Sequence, residues 1–187
     1  MAHVDEVLTI WGKICGPGLD EAGRALSQMT GLDFTMEDKA VNEVAWGEVL
    51  KRFTQNDHTE YYVVHLGATG LLTARIMLIF SPENGQRLVS TMMGEDTDLP
   101  LDEVGLSALA EIGNVVGTAF LNVFANIFGT VFEPTVPEVK QGYGIDVFPL
   151  FSNHQRVLIT EAIFRVTGET LTGEILIVPE RLQQAGR

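Results

Sequence analysis

The chain repeats part of its own pattern with an offset of 98 residues. Sliding the sequence by that distance places Gly31 on Gly129 and Phe34 on Phe132. At offsets of 97 to 99 residues, the segment TARIMLIFSPE also falls on LTGEILIVPE. Each half then consists of a helix followed by several strands. We therefore predict an α+β fold, a pseudo-two-fold repeat of helix-plus-strands units in which long helices pack on a largely antiparallel sheet.

The repeat is not divided by a linker, because Gly and Pro residues are scattered along the 187 residues rather than collected in one stretch. A chain of this size buries about 70% of its unfolded surface, so its core needs no disulfide or metal. Cys15 is the single cysteine and cannot form an internal disulfide. We predict one domain, 1–187, with approximate halves 1–98 and 99–187.

The charge of the chain restricts its partners. Lys and Arg number 12 against 25 Asp and Glu, which gives a formal charge of −13. Such a charge repels nucleic-acid phosphates and anionic lipids. The first residues include Asp5 and Glu6 where a signal peptide would be basic, and no run of about 18 consecutive apolar residues is present. These features favour a cytoplasmic protein without nucleic-acid or membrane partners.

Local patterns predict the individual elements. A first helix over about residues 4 to 30 should be broken or distorted at Gly16-Pro17-Gly18. Asn84-Gly85 indicates a turn before a short helix at about residues 86 to 93. The longest periodic segment predicts a helix from Leu101 to Phe128, closed by Gly129. Extended segments are predicted at Tyr61–Leu66, Leu71–Phe80, Val131–Val139, Val147–Phe151, Arg156–Val166 and Leu171–Val178.

The long second-half helix carries a polar stripe. At 100° per residue, four polar side chains fall within an arc of about 60°, namely Ser107, Glu111, Asn114 and Thr118. The opposite side collects an apolar face, formed by Leu109, Ile112, Val116, Phe120, Val123 and Ile127. We expect that face to lie on the sheet, with Gly113 and Gly117 at its edge allowing close approach.

A polar stripe on an amphipathic helix is usually only its solvent-exposed side. Two details argue for more. Asn is a poor helix former, roughly 0.6 kcal/mol worse than Ala, so Asn114 has no propensity reason to stand there. Glu111 has no cation to pair with on its own helix, because no Lys or Arg occurs from Leu101 to Val139. We therefore predict that Glu111 pairs with an external cation.

With this spacing, the sequence resembles the CheC/CheX/FliY family of chemotaxis phosphatases. The family signature is Asp or Ser, three residues, Glu, two residues, Asn, twenty-two residues and Pro. Here it reads Ser107-x3-Glu111-x2-Asn114-x22-Pro137. The surrounding segment LDEVGLSALAEIGN and the first-half segment ALSQMTGLDF are also similar to CheC, so the resemblance covers nearly the whole chain.

The resemblance implies an enzyme that hydrolyses the aspartyl phosphate of a CheY-type response regulator in chemotactic two-component signalling. Glu111 and Asn114 would be the catalytic residues, and Asn114 would hold a water in line with the P–O bond. Glu111 would dock the regulator's lysine, Ser107 and Thr118 would be substrate-docking residues, and Pro137 would be structural. The family uses Mg²⁺ that the regulator itself binds, so the resemblance implies no metal or cofactor held by this chain.

The same offset locates a first-half copy of the motif, and that copy has departed at all four positions. They are occupied by Thr9, Lys13, Gly16 and Lys39. We predict one active site, in the second half, as in a CheC-like protein with one intact motif. FliY-like proteins add a separate domain, for which 187 residues leave no room, so we expect that branch not to apply.

Two other classes of function stay open at this point. The first is a non-catalytic module that binds or sequesters the phosphorylated regulator or a CheD-type deamidase. The second is an unrelated enzyme, against which the sequence lacks GxxxxGK[ST], GxGxxG, GxSxG and HExxH motifs, and its four histidines are dispersed. The sequence decides neither whether CheD is a partner nor whether the protein is a monomer or a homodimer.

Overall fold

The computed structural model describes residues 2–55, 58–70 and 72–182, and within those ranges it describes side chains from residue 9 to residue 180. The helices are α1 (Ala2–Thr30), α2 (Trp46–Thr54), α3 (Pro82–Met93) and α4 (Glu103–Phe128). The strands are β1 (Phe34–Ala45), β2 (Glu60–Thr69), β3 (Leu72–Phe80), β4 (Glu133–Pro134), β5 (Glu138–Tyr143), β6 (Arg156–Val166) and β7 (Thr172–Leu182). One turn of 3₁₀ helix, Gly144–Val147, follows β5.

The seven strands form an antiparallel sheet in the order β1-β6-β7-β3-β2, with β4 and β5 both pairing along the outer side of β2. Exchanging β1 with β4 and β5, β2 with β6, and β3 with β7 reverses this order. The axis of the repeat therefore runs between β3 and β7, and α1 and α4 are equivalent elements. The predicted α+β fold, with long helices on a largely antiparallel repeated sheet, is confirmed.

One face of the sheet is covered by α1, α3 and α4. Alternate residues of β2 point into this core, among them Tyr62, Val64 and Leu66, as the two-residue period of a strand requires. Trp11 of α1 packs against Phe120 and Phe124 of α4, with ring centroids 5.9 and 4.3 Å apart. The main core thus joins the two equivalent helices to each other and to the sheet.

A buried polar contact ties α1 to β6. Thr160 is fully buried, and its hydroxyl accepts a hydrogen bond from Trp11 Nε1 at 2.9 Å. The Sγ atom of Cys15 lies 3.2 Å from the same hydroxyl. Burial raises the pKa of the Cys15 thiol to about 12. Cys15 is therefore a neutral, buried group of the core at physiological pH.

The other face of the sheet carries a second core. Four residues of α2 are buried there: Trp46, Val49, Leu50 and Phe53. They pack with Val147, the last residue of the 3₁₀ turn, and the following Phe148 against the opposite side of the central strands, including Val63 and Met77. The predicted extended segment Val147–Phe151 is wrong, because Val147 closes the 3₁₀ turn.

The predicted break in the first helix is also wrong. Helix α1 continues from Ala2 to Thr30 with Pro17 inside it. Pro17 is exposed, whereas the neighbouring Cys15 and Leu19 are buried in the main core. A proline inside a helix costs about 3 kcal/mol, which the packing of this long apolar face outweighs.

The smaller predictions divide in the same way. Asn84-Gly85 does not form a separate turn but lies in the first turn of α3, where Ser81 Oγ caps the backbone N–H of Asn84 at 3.2 Å. The expected extended segment Val131–Val139 contains β4 and the start of β5, separated by an irregular link. Strand β6 has its predicted bounds. Leu71, the first residue of the predicted strand Leu71–Phe80, lies outside the described residues.

Within the described ranges, one helix, α4, is long and apolar enough to cross a membrane by length and composition. In the fold, 44% of its most apolar window is buried. The buried side chains of α4 pack against α1 and the sheet.

Candidate functional site

The candidate site lies on α4, whose ends are defined by two caps. At the start, Asp102 Oδ1 accepts a hydrogen bond from the backbone N–H of Gly105 at 2.9 Å. At the end, Gly129 adopts a left-handed conformation with φ of 61° and donates its N–H to Ala125 O. The caps set where the helix begins and ends. Between them the helix is continuous, so its side chains follow the regular helical period.

Two glycines determine how closely α4 approaches the sheet. A Cβ atom on Gly113 would stand 2.4 Å from Val64 Cγ1, and one on Gly117 would stand 2.2 Å from Leu66 Cδ2. Both distances are far below van der Waals contact, so a larger residue at either position would require the helix or the facing side chain to shift. The predicted close approach is confirmed, and Asn114 is the residue that follows Gly113 on the helix.

The polar stripe lies where the sequence predicts it. Ser107 and Glu111 are exposed, and Asn114 and Thr118 are half-buried. Ser107 Oγ donates to the carbonyl oxygen of Glu103 at 2.8 Å. Among the described residues, neither the Glu111 carboxylate nor the Asn114 carboxamide has a hydrogen bond or an ion pair. Both groups are therefore available to a molecule that approaches from solvent.

The opposite face of α4 is apolar over most of its length. Four predicted core residues are fully buried: Leu109, Ile112, Val116 and Phe120. Val123 is half-buried, whereas Ile127 is 55% exposed and was wrongly expected in the core. Near the end of α4, Phe124 packs against Trp11 of α1, with ring centroids 4.3 Å apart.

Pro137, the last signature position, lies in the link between β4 and β5 and is half-buried. This link is fastened to β2 through Thr135. The backbone N–H of Thr135 donates to Gly67 O at 2.9 Å, and Thr135 Oγ1 accepts from Gly67 N at 2.8 Å. Pro137 thus precedes β5 beside the strand that supports α4, and its structural role stays a prediction.

The equivalent positions of the first half carry different side chains on an intact helix. Thr9 and Lys13 are exposed on α1, and Lys39 of β1 pairs with Asp20 at 2.7 Å. A Cβ atom on Gly16 would meet nothing within 4 Å, so packing does not require glycine there. The first half therefore lacks the Glu and Asn side chains, although it retains the helix that could present them.

No three His, Cys, Asp or Glu side chains in the described ranges are grouped so that they could hold a metal ion. This finding concerns only residues with described side chains. The expectation that this chain holds no metal or cofactor of its own is carried by the resemblance and stays a prediction.

The region that matches a known protein family contains this site. The sequence model of the CheC-like family matches residues 104–140, a range that contains all four signature positions. The resemblance to the CheC/CheX/FliY family is confirmed. The CheC-like match covers α4, the β4–β5 link and the start of β5, which lie in the half of the chain that carries the intact motif.

Individual relatives agree with this result. A curated protein of Halobacterium salinarum named "Putative CheY-P phosphatase CheC1" is 22% identical over 142 residues, which span 70% of this chain and 66% of that relative. The crystal structure of Thermotoga maritima FliY superimposes with a TM-score of 0.70 and 20% identity, over 91% of this chain and 87% of that one. At this identity, the superposition shows the fold.

A third relative is a structure of a complex. The CheX component of the CheX-CheY-BeF₃-Mg²⁺ complex from Borrelia burgdorferi has a TM-score of 0.65 and 20% identity, over 89% of this chain and 97% of that chain. Proteins described as CheC-like, CheX and FliY thus share the fold of this chain. The fold does not separate these branches, so the expectation that the FliY branch does not apply stays a prediction.

The side of α4 that carries the polar stripe has further exposed residues, which the sequence analysis did not recognise. Val104, which is 59% exposed, lies on the same side of α4 as Glu111. A signal for it was present, because a spacing of seven residues is almost two helical turns. Asn122 continues the same side toward the end of the helix and is also exposed.

Proposed function

We propose that this protein is a phosphatase that hydrolyses the aspartyl phosphate of a CheY-type response regulator in chemotaxis. The observation that carries the proposal is that the Glu111 and Asn114 side chains have no partner among the described residues. Both lie on α4, a helix that is capped at both ends and packed closely on β2. Two relatives support it: one is named as a CheY-P phosphatase, and another forms a complex with CheY.

Asn114 is the catalytic residue of this proposal. A carboxamide can accept a hydrogen bond from a water and donate another to it, so it can orient one water toward phosphorus in line with the breaking P–O bond. Asn114 is half-buried beside Gly113, whose contact with Val64 limits movement of the helix. The contact thus holds in place the backbone from which the carboxamide projects when the regulator docks.

Glu111 docks the regulator in this proposal. It precedes Asn114 by three residues, or about 4.5 Å along the helix axis. Its carboxylate can pair with a lysine of the regulator, and such a charge-assisted hydrogen bond is strong in a partly desolvated interface. No cation of the described residues competes for the Glu111 carboxylate, so the regulator's lysine displaces no internal partner.

Ser107 and Thr118 flank this pair and serve as docking contacts. Because the Ser107 hydroxyl donates to Glu103 O, its oxygen presents lone pairs to the partner and accepts hydrogen bonds. The Mg²⁺ of the reaction belongs to the regulator in this proposal, and this chain supplies no metal or cofactor. The protein acts in the cytoplasm, where a CheY-type regulator is found, and its charge of −13 disfavours nucleic acid as a competing partner.

The test is phosphate release from a radiolabelled CheY-type regulator of the same organism, with the protein at sub-stoichiometric concentration. Wild type should turn over many regulators per molecule. Asn114→Ala should lose about two to four powers of ten in rate, because general positioning and proton-transfer effects have that size. The matched control is Asn126→Ala, an exposed asparagine more than three turns further along the same helix and turned away from the polar stripe, which should keep the rate.

The same assay separates catalysis from sequestration. A module that only binds the phosphorylated regulator, or only binds a CheD-type deamidase, would not accelerate phosphate loss at sub-stoichiometric concentration. Wild-type protein without turnover would therefore contradict the proposed activity. Normal hydrolysis by folded Asn114→Ala would contradict the role of that residue.

A further inference from the structure

Val104 is an exposed apolar residue at the start of α4, and the fold gives no reason for it. Its side chain is 59% exposed. Valine is also a poor helix former, because its branched side chain loses rotamer freedom against the preceding turn. Neither core packing nor helix propensity therefore accounts for a valine at this position.

The position of Val104 relative to Glu111 is well defined. The two residues are seven apart on one regular helix, which places them about 20° apart in direction and about 10 Å apart along the axis. Ile127 is the other large apolar residue of α4 that is strongly exposed, at 55%. It lies about 160° away from Glu111, on the opposite side of the helix. Val104 is thus the exposed apolar side chain that shares the direction of the polar stripe.

A protein partner that reaches Glu111 and Asn114 must cover a wider surface than these two residues. A specific interface buries about 800 Å² on each partner, equivalent to a disc of about 16 Å radius. Val104 lies about 13 Å along the axis from the midpoint of Glu111 and Asn114, so it falls within that disc. An exposed valine in such a position gains free energy when a partner removes it from water.

We propose that Val104 is an apolar docking residue for the same response regulator, which presents an apolar surface to the start of α4. This inference rests on the proposed function and extends its docking surface beyond Ser107. Val104 is a positioning residue, since it contributes affinity and register without touching the phosphoryl group. Its loss should raise KM and leave kcat unchanged, because the reacting groups at Asn114 are intact.

The experiment compares Val104→Ser, Val104→Leu and Ile127→Ser in the phosphate-release assay, with kcat and KM measured separately. Binding to the regulator activated with beryllium fluoride and Mg²⁺ is measured in parallel. Val104→Ser should raise KM and the dissociation constant about fivefold to tenfold at unchanged kcat. Val104→Leu keeps an apolar side chain, so its KM and dissociation constant should stay within about twofold of the wild-type values. Ile127→Ser is the matched control with similar exposure on the opposite side, and it should leave both values unchanged.

The outcomes distinguish this inference from the function on which it rests. If wild type turns over the regulator but Val104→Ser has the KM and dissociation constant of wild type, the docking role of Val104 is overturned. The proposed phosphatase activity is then retained. If wild type binds the activated regulator without turnover, the phosphatase fails, and the dissociation constants still decide the role of Val104. If wild type neither turns over nor binds the regulator, both proposals fail. An equal loss for Val104→Ser and Ile127→Ser would also overturn the role of Val104.

Discussion

The α-carbon of Gly113 lies so close to Val64 that a Cβ atom on this glycine would stand 2.4 Å from Val64 Cγ1. Val64 is itself buried in the middle of β2, so it has little space to move aside. The contact therefore fixes the separation between α4 and the sheet. Asn114 is the next residue, and its position depends on that separation.

Gly113→Ala should destabilise the protein and impair the site together. Overpacking of a buried contact typically costs 1 to 3 kcal/mol, so we expect the free energy of unfolding to fall by about 2 kcal/mol. Hydrolysis should also fall, because lifting α4 from β2 displaces Asn114. Urea denaturation and the phosphate-release assay measure the two effects.

Gly12→Ala in α1 is the matched control for this change. Gly12 is also helical, but a Cβ atom there would meet nothing within 4 Å. Alanine favours a helix over glycine by up to about 1 kcal/mol, so this variant should be as stable as wild type or more stable. Equal stability of the two variants would show that the Gly113 contact does not limit packing.

Changes at Glu111 should affect binding more than the fold. Glu111→Gln keeps the size of the side chain but removes its charge, and Glu111→Lys introduces the charge that Lys13 has at the equivalent first-half position. A hydrogen bond to a charged group contributes about 1.5 to 3 kcal/mol, so Glu111→Gln should weaken regulator binding about tenfold to a hundredfold. Glu111→Lys should weaken it further through like-charge repulsion.

These affinities can be read by titration with the regulator activated by beryllium fluoride and Mg²⁺. The thermal stability of both variants should stay near that of wild type, because Glu111 is exposed and has no partner among the described side chains. Undiminished binding by Glu111→Lys would refute its contact with a regulator lysine.

Thr160→Val should destabilise the core although the two side chains have similar shapes. The threonine hydroxyl accepts the hydrogen bond of Trp11 Nε1 at 2.9 Å, and both residues are fully buried. A buried donor left without an acceptor costs about 1 to 3 kcal/mol. Urea denaturation should show a loss of that size, and Thr160→Ser, which keeps the hydroxyl, should lose less. A Thr160→Val variant as stable as wild type would mean that Trp11 finds another acceptor.

His65 should make stability depend on pH below neutrality. Burial lowers the pKa of its imidazole below the usual value near 6.5, and its Nε2 lies 2.7 Å from the carbonyl oxygen of Val147. As the pH falls through about 6.5, the unfolded chain binds a proton at this residue before the folded protein does. The free energy of unfolding should therefore fall on acidification and show no His65 contribution well above pH 7.

The measurement is urea denaturation of wild type and His65→Gln from pH 8 to pH 5. Other groups titrate in both proteins, including Glu174, whose pKa is raised mainly by burial. The contribution of His65 is therefore the difference between the two curves. Wild type should lose stability relative to the variant as the pH falls, and parallel curves would contradict the lowered pKa.

Much of the site could be predicted from sequence because it depends on one helix. Ser107, Glu111, Asn114 and Thr118 share a side of α4 through spacing alone, whatever lies beneath them. The repeat likewise predicted the order of elements, since equivalent helices and strands recur at one offset. Features that depend on distant parts of the chain were harder to predict.

Helix α1 shows the difference most clearly. Local rules predict a break at Pro17, but the fold gains more by keeping buried residues such as Leu19 and Leu26 on one continuous face. Helix α2 was not predicted because it has only nine residues and its stability comes from the second core. The exposure of Ile127 was also unpredictable from periodicity, because the helical period gives the side on which a residue lies and not whether another element covers it.

Strand β2, on which α4 rests, is bonded along both sides, to β3 on one and to β4 and β5 on the other. Side chains of this strand enter both cores, Val64 on one face and Val63 on the other. The backbone amide hydrogens of such a strand exchange with solvent only through the largest openings of a protein, whereas the edges of a sheet fray much more often. The platform beneath Asn114 is thus among the slowest parts of the molecule to open, and the geometry of the site persists through the frequent, local fluctuations of the sheet edges.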